Sequence, residues 1–180
     1  SLLSADWPFY LRETVRGGLG SDIGVVFLNG ACGDVTQVDN LNPRPGEFGE
    51  AWARRAGMSV GAVALNVLAK MEFVPDAPLG VTSETLALPI RDLGNSDEEL
   101  VRREAPGIGL GTGDDIYLKE AALVRAMKAQ SPTVAVEVQA MRIGDAGIAS
   151  NPAEFFCELG LAVKRGSPWK PTMVVELANG

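Results

Sequence analysis

Short β-type runs alternate with helical stretches along this chain, and that order limits the folds open to it more than any other feature. Ile23 to Leu28 is apolar and β-branched and reads as a buried strand. Leu79 to Ile90 reads as a second strand, with a clear apolar face only in its later part. In Thr133 to Ile143, Val134, Val136, Val138 and Ala140 alternate with Thr133, Ala135, Glu137 and Gln139, the period of an extended chain. Gly144 to Gly147 makes a turn, Ile148 to Ser150 begins another strand, and Met173 to Leu177 is the last.

Helical segments fall between these runs. Ser4 or Asp6 can cap a helix entered at Trp7-Pro8, with Phe9, Leu11, Val15 and Leu19 roughly on one side and Gly17, Gly18 and Gly20 as its stop. A long helix from about Glu47 to Met71 carries Ala56, Gly57, Gly61, Ala62 and Ala64, small residues suited to close packing. Asn95 to Glu104 reads as a capped helix, Ala105 to Asp114 as a Gly-rich loop, and Asp115 to Gln130 and Ala153 to Lys164 as helices. The expected fold is α/β, with mixed α+β also open: a layered sheet with flanking helices, in one domain over residues 1–180.

Charge narrows the partners. The net charge is −7, and the basic residues are scattered, with no stripe of Lys and Arg to meet phosphates. Nucleic acid is therefore not an expected partner. No run is long and apolar enough to span a bilayer, so no transmembrane segment is expected. No signal peptide is visible. The chain starts without Met, and its first residues already read as a helix entry, so the expectation is a domain truncated at both ends. Surface exposed by such a cut would favour a homo-oligomer.

The chain has no histidine. It cannot by itself hold a Ser-His-Asp or Cys-His arrangement, nor a zinc site built on His. Its two cysteines, Cys32 and Cys157, read as small buried hydrophobes rather than a disulfide, though a pairing stays open.

Three places can carry chemistry. The turn Asn29-Gly30-Ala31-Cys32-Gly33-Asp34-Val35-Thr36 follows the Ile23 to Leu28 run, and such glycine-bearing turns can aim backbone N–H groups at an oxyanion or phosphate. An ordinary tight turn is the simpler reading. Cys32 is read as structural, because no His is present to lower its pKa. Ser150-Asn151-Pro152-Ala153-Glu154 leads from a strand into a helix, with Glu154 in the first helical turn. Helix capping accounts for a Glu there, and a metal ligand at a strand end is the functional alternative. Gly113-Asp114-Asp115 lacks the EF-hand spacing and reads as a loop with a helix cap.

Taken together, Ser4-Ala5-Asp6-Trp7-Pro8, the Phe27 to Thr36 stretch, Asn151-Pro152-Ala153-Glu154-Phe155-Phe156 and the end Leu177-Ala178-Asn179-Gly180 resemble the N-terminal catalytic domain of neutral/alkaline (non-lysosomal) ceramidases and their bacterial relatives. The resemblance implies a zinc-dependent amidohydrolase that cleaves an N-acyl amide, a small molecule or a lipid, and a secreted or periplasmic location. It places Glu154 on a zinc ligand and Thr36 on the family's essential Ser. Gly33 and Asp34 fall in the same catalytic motif, and Asn29, Gly30, Ala31 and Cys32 line the substrate side. The family's other zinc ligands, two His and a Tyr, would lie outside these residues, so the chain alone is expected to bind no zinc and to be inactive. The sequence continues Thr36-Gln37-Val38 where the family has Ser-Pro-Asn. That departure favours the alternative of a non-catalytic binding domain that keeps the scaffold. A carbohydrate- or phosphate-binding module built on the glycine turn is a third reading.

Overall fold

The computed structural model describes residues 4–42, 44–93 and 113–179, and within 113–119 the backbone alone. The helix expected over Asn95 to Glu104, and most of the loop expected after it, lie outside the described residues. In chain order the elements are α1 (Trp7–Leu19), α2 (Glu50–Leu68), β1 (Leu79–Pro89), α3 (Gly113–Gln130), β2 (Thr133–Ile143), β3 (Ala146–Ser150), α4 (Cys157–Gly166) and β4 (Thr172–Val175). The strands form one sheet in the order β1-β2-β3-β4. β3 runs antiparallel to β2, with Met141 opposite Ile148, and parallel to β4, with Ala149 opposite Val174. The fold is mixed α/β, as the alternating pattern predicts.

Contacts divide the chain into two units. One comprises Ser1–Thr82 with Gln139–Asn179, and the other Ser83–Val138. The second unit holds α3 and the adjoining parts of β1 and β2, tied by the Ile90 N–H to the Pro132 carbonyl at 2.9 Å and by an ion pair between Lys128 and Asp92. The candidate residues of the turn and of the strap lie in the first unit; Gly113-Asp114-Asp115, expected as a loop with a helix cap, instead opens α3 in the second.

In that unit α1 and α2 pack closely because α2 presents Ala53, Gly57 and Gly61, one helical turn apart, as a buried stripe. A Cβ built on Gly57 would stand 2.2 Å from the Trp7 carbonyl oxygen and 2.7 Å from the Leu11 nitrogen. Leu11 and Val15 of α1 are buried, and the Tyr10 hydroxyl donates to Glu50 at 2.9 Å. The close packing expected of the small residues is thus real for Gly57 and Gly61. The helix begins later than expected, since Gly46 and Gly49 have φ of 87° and 79°. Conversely, α1 runs through Gly17 and Gly18 and ends at Gly20, with φ of 112°. Asp6 precedes it without a side-chain capping bond; Ser4 Oγ instead accepts from the Asp6 N–H.

The run Ile23 to Leu28 is not a buried strand. It is irregular, Val26 is 83% exposed, and its one aromatic, Phe27, meets Trp7 edge-on at 4.8 Å. A strand exists only by pairing, and no described strand pairs with this segment. The buried apolar side chains among the described residues are Leu11, Val15, Ala53 and Val174. No described helix is long and apolar enough to cross a membrane.

Candidate functional site

The end of β4 is the rail on which the site is assembled. Asn29 lies on one side of it, where its carbonyl accepts from the Glu176 N–H at 3.0 Å. On the other side a strap of residues 151–156 continues from β3. The Asn151 N–H donates to the Val175 carbonyl at 3.0 Å, and the Leu177 and Ala178 N–H groups donate to Ala153 and Asn151. The chain then bends at Leu177, whose φ of 56° is unusual for a bulky side chain.

Two motifs far apart in sequence meet across this rail. The Gly33 N–H donates to the Phe155 carbonyl at 2.9 Å. Asp34 Oδ1 accepts from the Cys157 N–H at 2.6 Å, which supplies a partner to the first residue of α4. A Cβ at Gly33 would lie 2.7 Å from the Glu154 carbonyl oxygen, so glycine is what permits this approach. At Gly160 a Cβ would stand 2.5 Å from that of Ala31, which seats α4 under the same turn.

The residue that joins them is Glu176, just beyond β4 and 3% exposed. Its Oε1 accepts from the Cys32 N–H at 2.8 Å and its Oε2 from the Phe155 N–H at 2.7 Å. The sequence reading missed it. The signal was there: a Glu inside the apolar run Met173 to Leu177 is a buried polar group that must find partners.

Several expectations change on this geometry. Glu154 is exposed in the strap and is not in a helix, because α4 starts at Cys157. The reason is that the bonds such a first turn needs are made elsewhere: the Ala153 carbonyl accepts from the Leu177 N–H, the Phe155 carbonyl from the Gly33 N–H, and the Cys157 N–H donates to Asp34. Capping is therefore not the role of Glu154. The turn also has fewer backbone donors to offer than its glycines suggest. The N–H groups of Cys32, Gly33 and Val35 are all bonded within the protein. Thr36 is exposed, and its hydroxyl oxygen accepts from the Val38 N–H at 3.4 Å. Both cysteines are free; Cys32 is half-buried and Cys157 exposed, so neither is the fully buried hydrophobe expected.

A cavity of about 170 Å³ beside the turn is lined by Gly30, Ala31, Cys157, Gly160, Lys164 and Val174 among others. It is smaller than ordinary small-molecule pockets, which run from about 300 Å³ upward. Larger grooves of about 460 and 450 Å³ lie along α1 and α2 and contain none of the candidate residues.

The Cys32 thiol is pushed up from its ordinary 9.0 to about 11, first by hydrogen bonding with Glu176, then by burial and by the charges of Glu176 and Glu154. The structural role expected of this cysteine fits that environment. Two units cost about 100-fold in thiolate near neutral pH, and the greater nucleophilicity of a more basic thiolate restores about 10-fold. Iodoacetamide should therefore label Cys32 about 10-fold more slowly than an unperturbed thiol, as read by peptide mass spectrometry across a pH series. Labelling that levels off below about pH 9 would contradict the environment described. The folded state holds this proton more tightly than the unfolded one. The resulting stabilisation is complete below pH 9.0 and is lost as pH rises through about 11.

Among the described residues, no group of three His, Cys, Asp or Glu side chains could hold a metal ion. Comparisons with family models, with curated proteins and with solved structures give no match to this chain.

Proposed function

We propose that this chain is part of a ceramidase-like, zinc-dependent amidohydrolase that cleaves an N-acyl amide, with a lipid amide among the candidate substrates. One observation carries the reading: the turn 29–36 and the strap bearing Glu154 lie side by side, joined through Gly33, Asp34 and Glu176. These are the two segments that the family resemblance puts in one active site. The described residues do not by themselves fit a catalytic zinc, which takes about three protein ligands, and Glu154 is the ligand among them that the resemblance implies. The remaining ligands would come from outside these residues. The chain's own contribution is the Glu154 carboxylate, the Thr36 hydroxyl, and the backbone that fixes their separation.

Elemental analysis and an N-acyl amide hydrolysis assay on the full-length protein test this. Zinc near stoichiometric with protein is expected in the wild type. In Glu154→Ala, most of the zinc should be lost and hydrolysis should fall by about 100-fold or more, beyond the effect of losing a neighbouring support. A wild type with neither zinc nor hydrolysis would sink the reading.

The engaged Thr36 hydroxyl, at the place of the family's Ser, favours the second reading, a binding domain that keeps the scaffold without the chemistry. That reading predicts no zinc in the full-length protein. The phosphate- or carbohydrate-binding alternative is weakened, because the Cys32 and Gly33 N–H groups it would use are already bonded.

A further inference from the structure

We propose that the open edge of β1 is a self-pairing surface, where a second copy of this chain adds its own β1 antiparallel about a two-fold axis at Ser83. The inference stands apart from the amidohydrolase reading. β1 lies at the end of the strand order, and among the described residues no strand covers its other side. Its pairing with β2 is fixed at both ends. The Pro78 carbonyl accepts from the Gly144 N–H, and the Ile90 N–H donates to the Pro132 carbonyl, each at 2.9 Å, so the two strands run antiparallel. In such a pair directly opposed residues exchange bonds, and bonded pairs alternate with unbonded ones. The even-numbered residues of β1 therefore turn their N–H and C=O groups toward β2. Leu79, Val81, Ser83, Thr85 and Ala87 turn theirs to the open edge, where Pro89 offers a carbonyl alone.

An edge of this kind is a template for another extended strand, and proteins usually blunt it with Lys, with Pro or by keeping it short. β1 has none of these before Pro89. It is 11 residues long, exposed at every position but one, and Glu84 is its only charge. Leu79 and Val81 are 77% and 75% exposed, so pairing also takes apolar surface out of water. The strand fits itself in one register. Centred on Ser83, Leu79 faces Ala87 of the second copy, Val81 faces Thr85, and the two Ser83 residues face each other. All the outward N–H groups are then paired, in about ten hydrogen bonds, and Glu84 faces Thr82. Centred on Glu84, two like charges would meet directly. Centred on Thr82 or Thr85, the groups of Ala87 or Leu79 would fall beyond the end of the other strand. The contact is isologous, uses the open edge of both copies and closes at the dimer.

Sedimentation equilibrium of the full-length protein, with residue-resolved amide exchange over an about 100-fold dilution series, tests this. A dimer is expected at high concentration, with the N–H groups of Val81, Ser83, Thr85 and Ala87 protected along with those of Thr82, Glu84 and Leu86. On dilution the odd-numbered set should lose protection by about 10-fold or more, while the even-numbered set keeps it. Ser83→Pro removes the outward donor at the two-fold axis, a change that an edge strand tolerates, and should weaken the dimer by about 10-fold or more. Charge tests the register: Val81→Glu with Thr85→Glu should weaken the dimer by about 10-fold, whereas Val81→Lys with Thr85→Glu should leave it as tight as the wild type. A monomer at every concentration would overturn the proposal. Odd-numbered amides protected regardless of dilution would overturn it as well, since another segment or another protein would then cover the edge. So would a dimer whose odd-numbered amides exchange freely, or one that Ser83→Pro leaves unweakened with its even-numbered amides still protected. Equal weakening by the two charge variants would refute the register.

Discussion

Gly57→Ala should lower the stability of the protein, although alanine is the better helix former. In an exposed helix the exchange would gain about 1 kcal/mol. Here the added methyl meets the Trp7 carbonyl oxygen at 2.2 Å, the Tyr10 Cβ at 2.6 Å and the Leu11 nitrogen at 2.7 Å. Two of these are backbone atoms, so no rotamer change relieves the overlap, and α1 must move away from α2. Overpacking of this kind costs about 1–3 kcal/mol, and a rigid backbone neighbour puts this case at the upper end. A net loss of about 2 kcal/mol would lower the melting temperature by about 4–8 °C. The control is Gly17→Ala in α1, where nothing lies within 4 Å of the new methyl. That change should stabilise by up to about 1 kcal/mol. Thermal unfolding of both variants decides the matter: equal stabilities would mean that α1 and α2 do not approach through Gly57.

Glu176→Ala should have the larger effect. The substitution removes an acceptor from two backbone N–H groups at once. An orphaned buried donor costs about 1–3 kcal/mol. The Cys32 and Phe155 residues are half-buried, so water entering the vacated space can serve one of them in part. A loss of about 3 kcal/mol results, or about 10 °C in melting temperature for a chain of this length. The same change should release the Cys32 thiol from its largest perturbation and speed its alkylation toward that of an ordinary cysteine. A variant that melts like the wild type and leaves Cys32 slow to react would show that Glu176 does not hold these groups.

These two residues differ in how far the sequence announces them. Gly57 stands in a run of small residues, and the i, i+4 spacing of Ala53, Gly57 and Gly61 makes a face that only a close neighbour can fill. Helix α1, the alternating β2, the turn after it and β4 follow equally from local periodicity. The start of α4 does not. A helix beginning at Ala153 would bond the Ala153 carbonyl to the Cys157 N–H, but Leu177 takes that carbonyl and Asp34 that N–H, and the first helical turn gives way. The run Ile23 to Leu28 has the composition of a strand and lacks a strand to pair with among the described residues.

Period and turn chemistry were thus enough for the class of fold and for most of its elements; the two short segments stood out by their turn residues, and only the family resemblance gave them a candidate chemistry. Period and turn residues are local properties, readable over a few residues at a time. That the turn at 29–36 and the strap at 151–156 lie side by side, that several of their backbone donors are already engaged, and that Glu176 bonds to both are matters of long-range pairing. A carboxylate's partners are chosen by whichever N–H groups the packed sheet and its flanking segments bring within reach, and no local pattern specifies that choice.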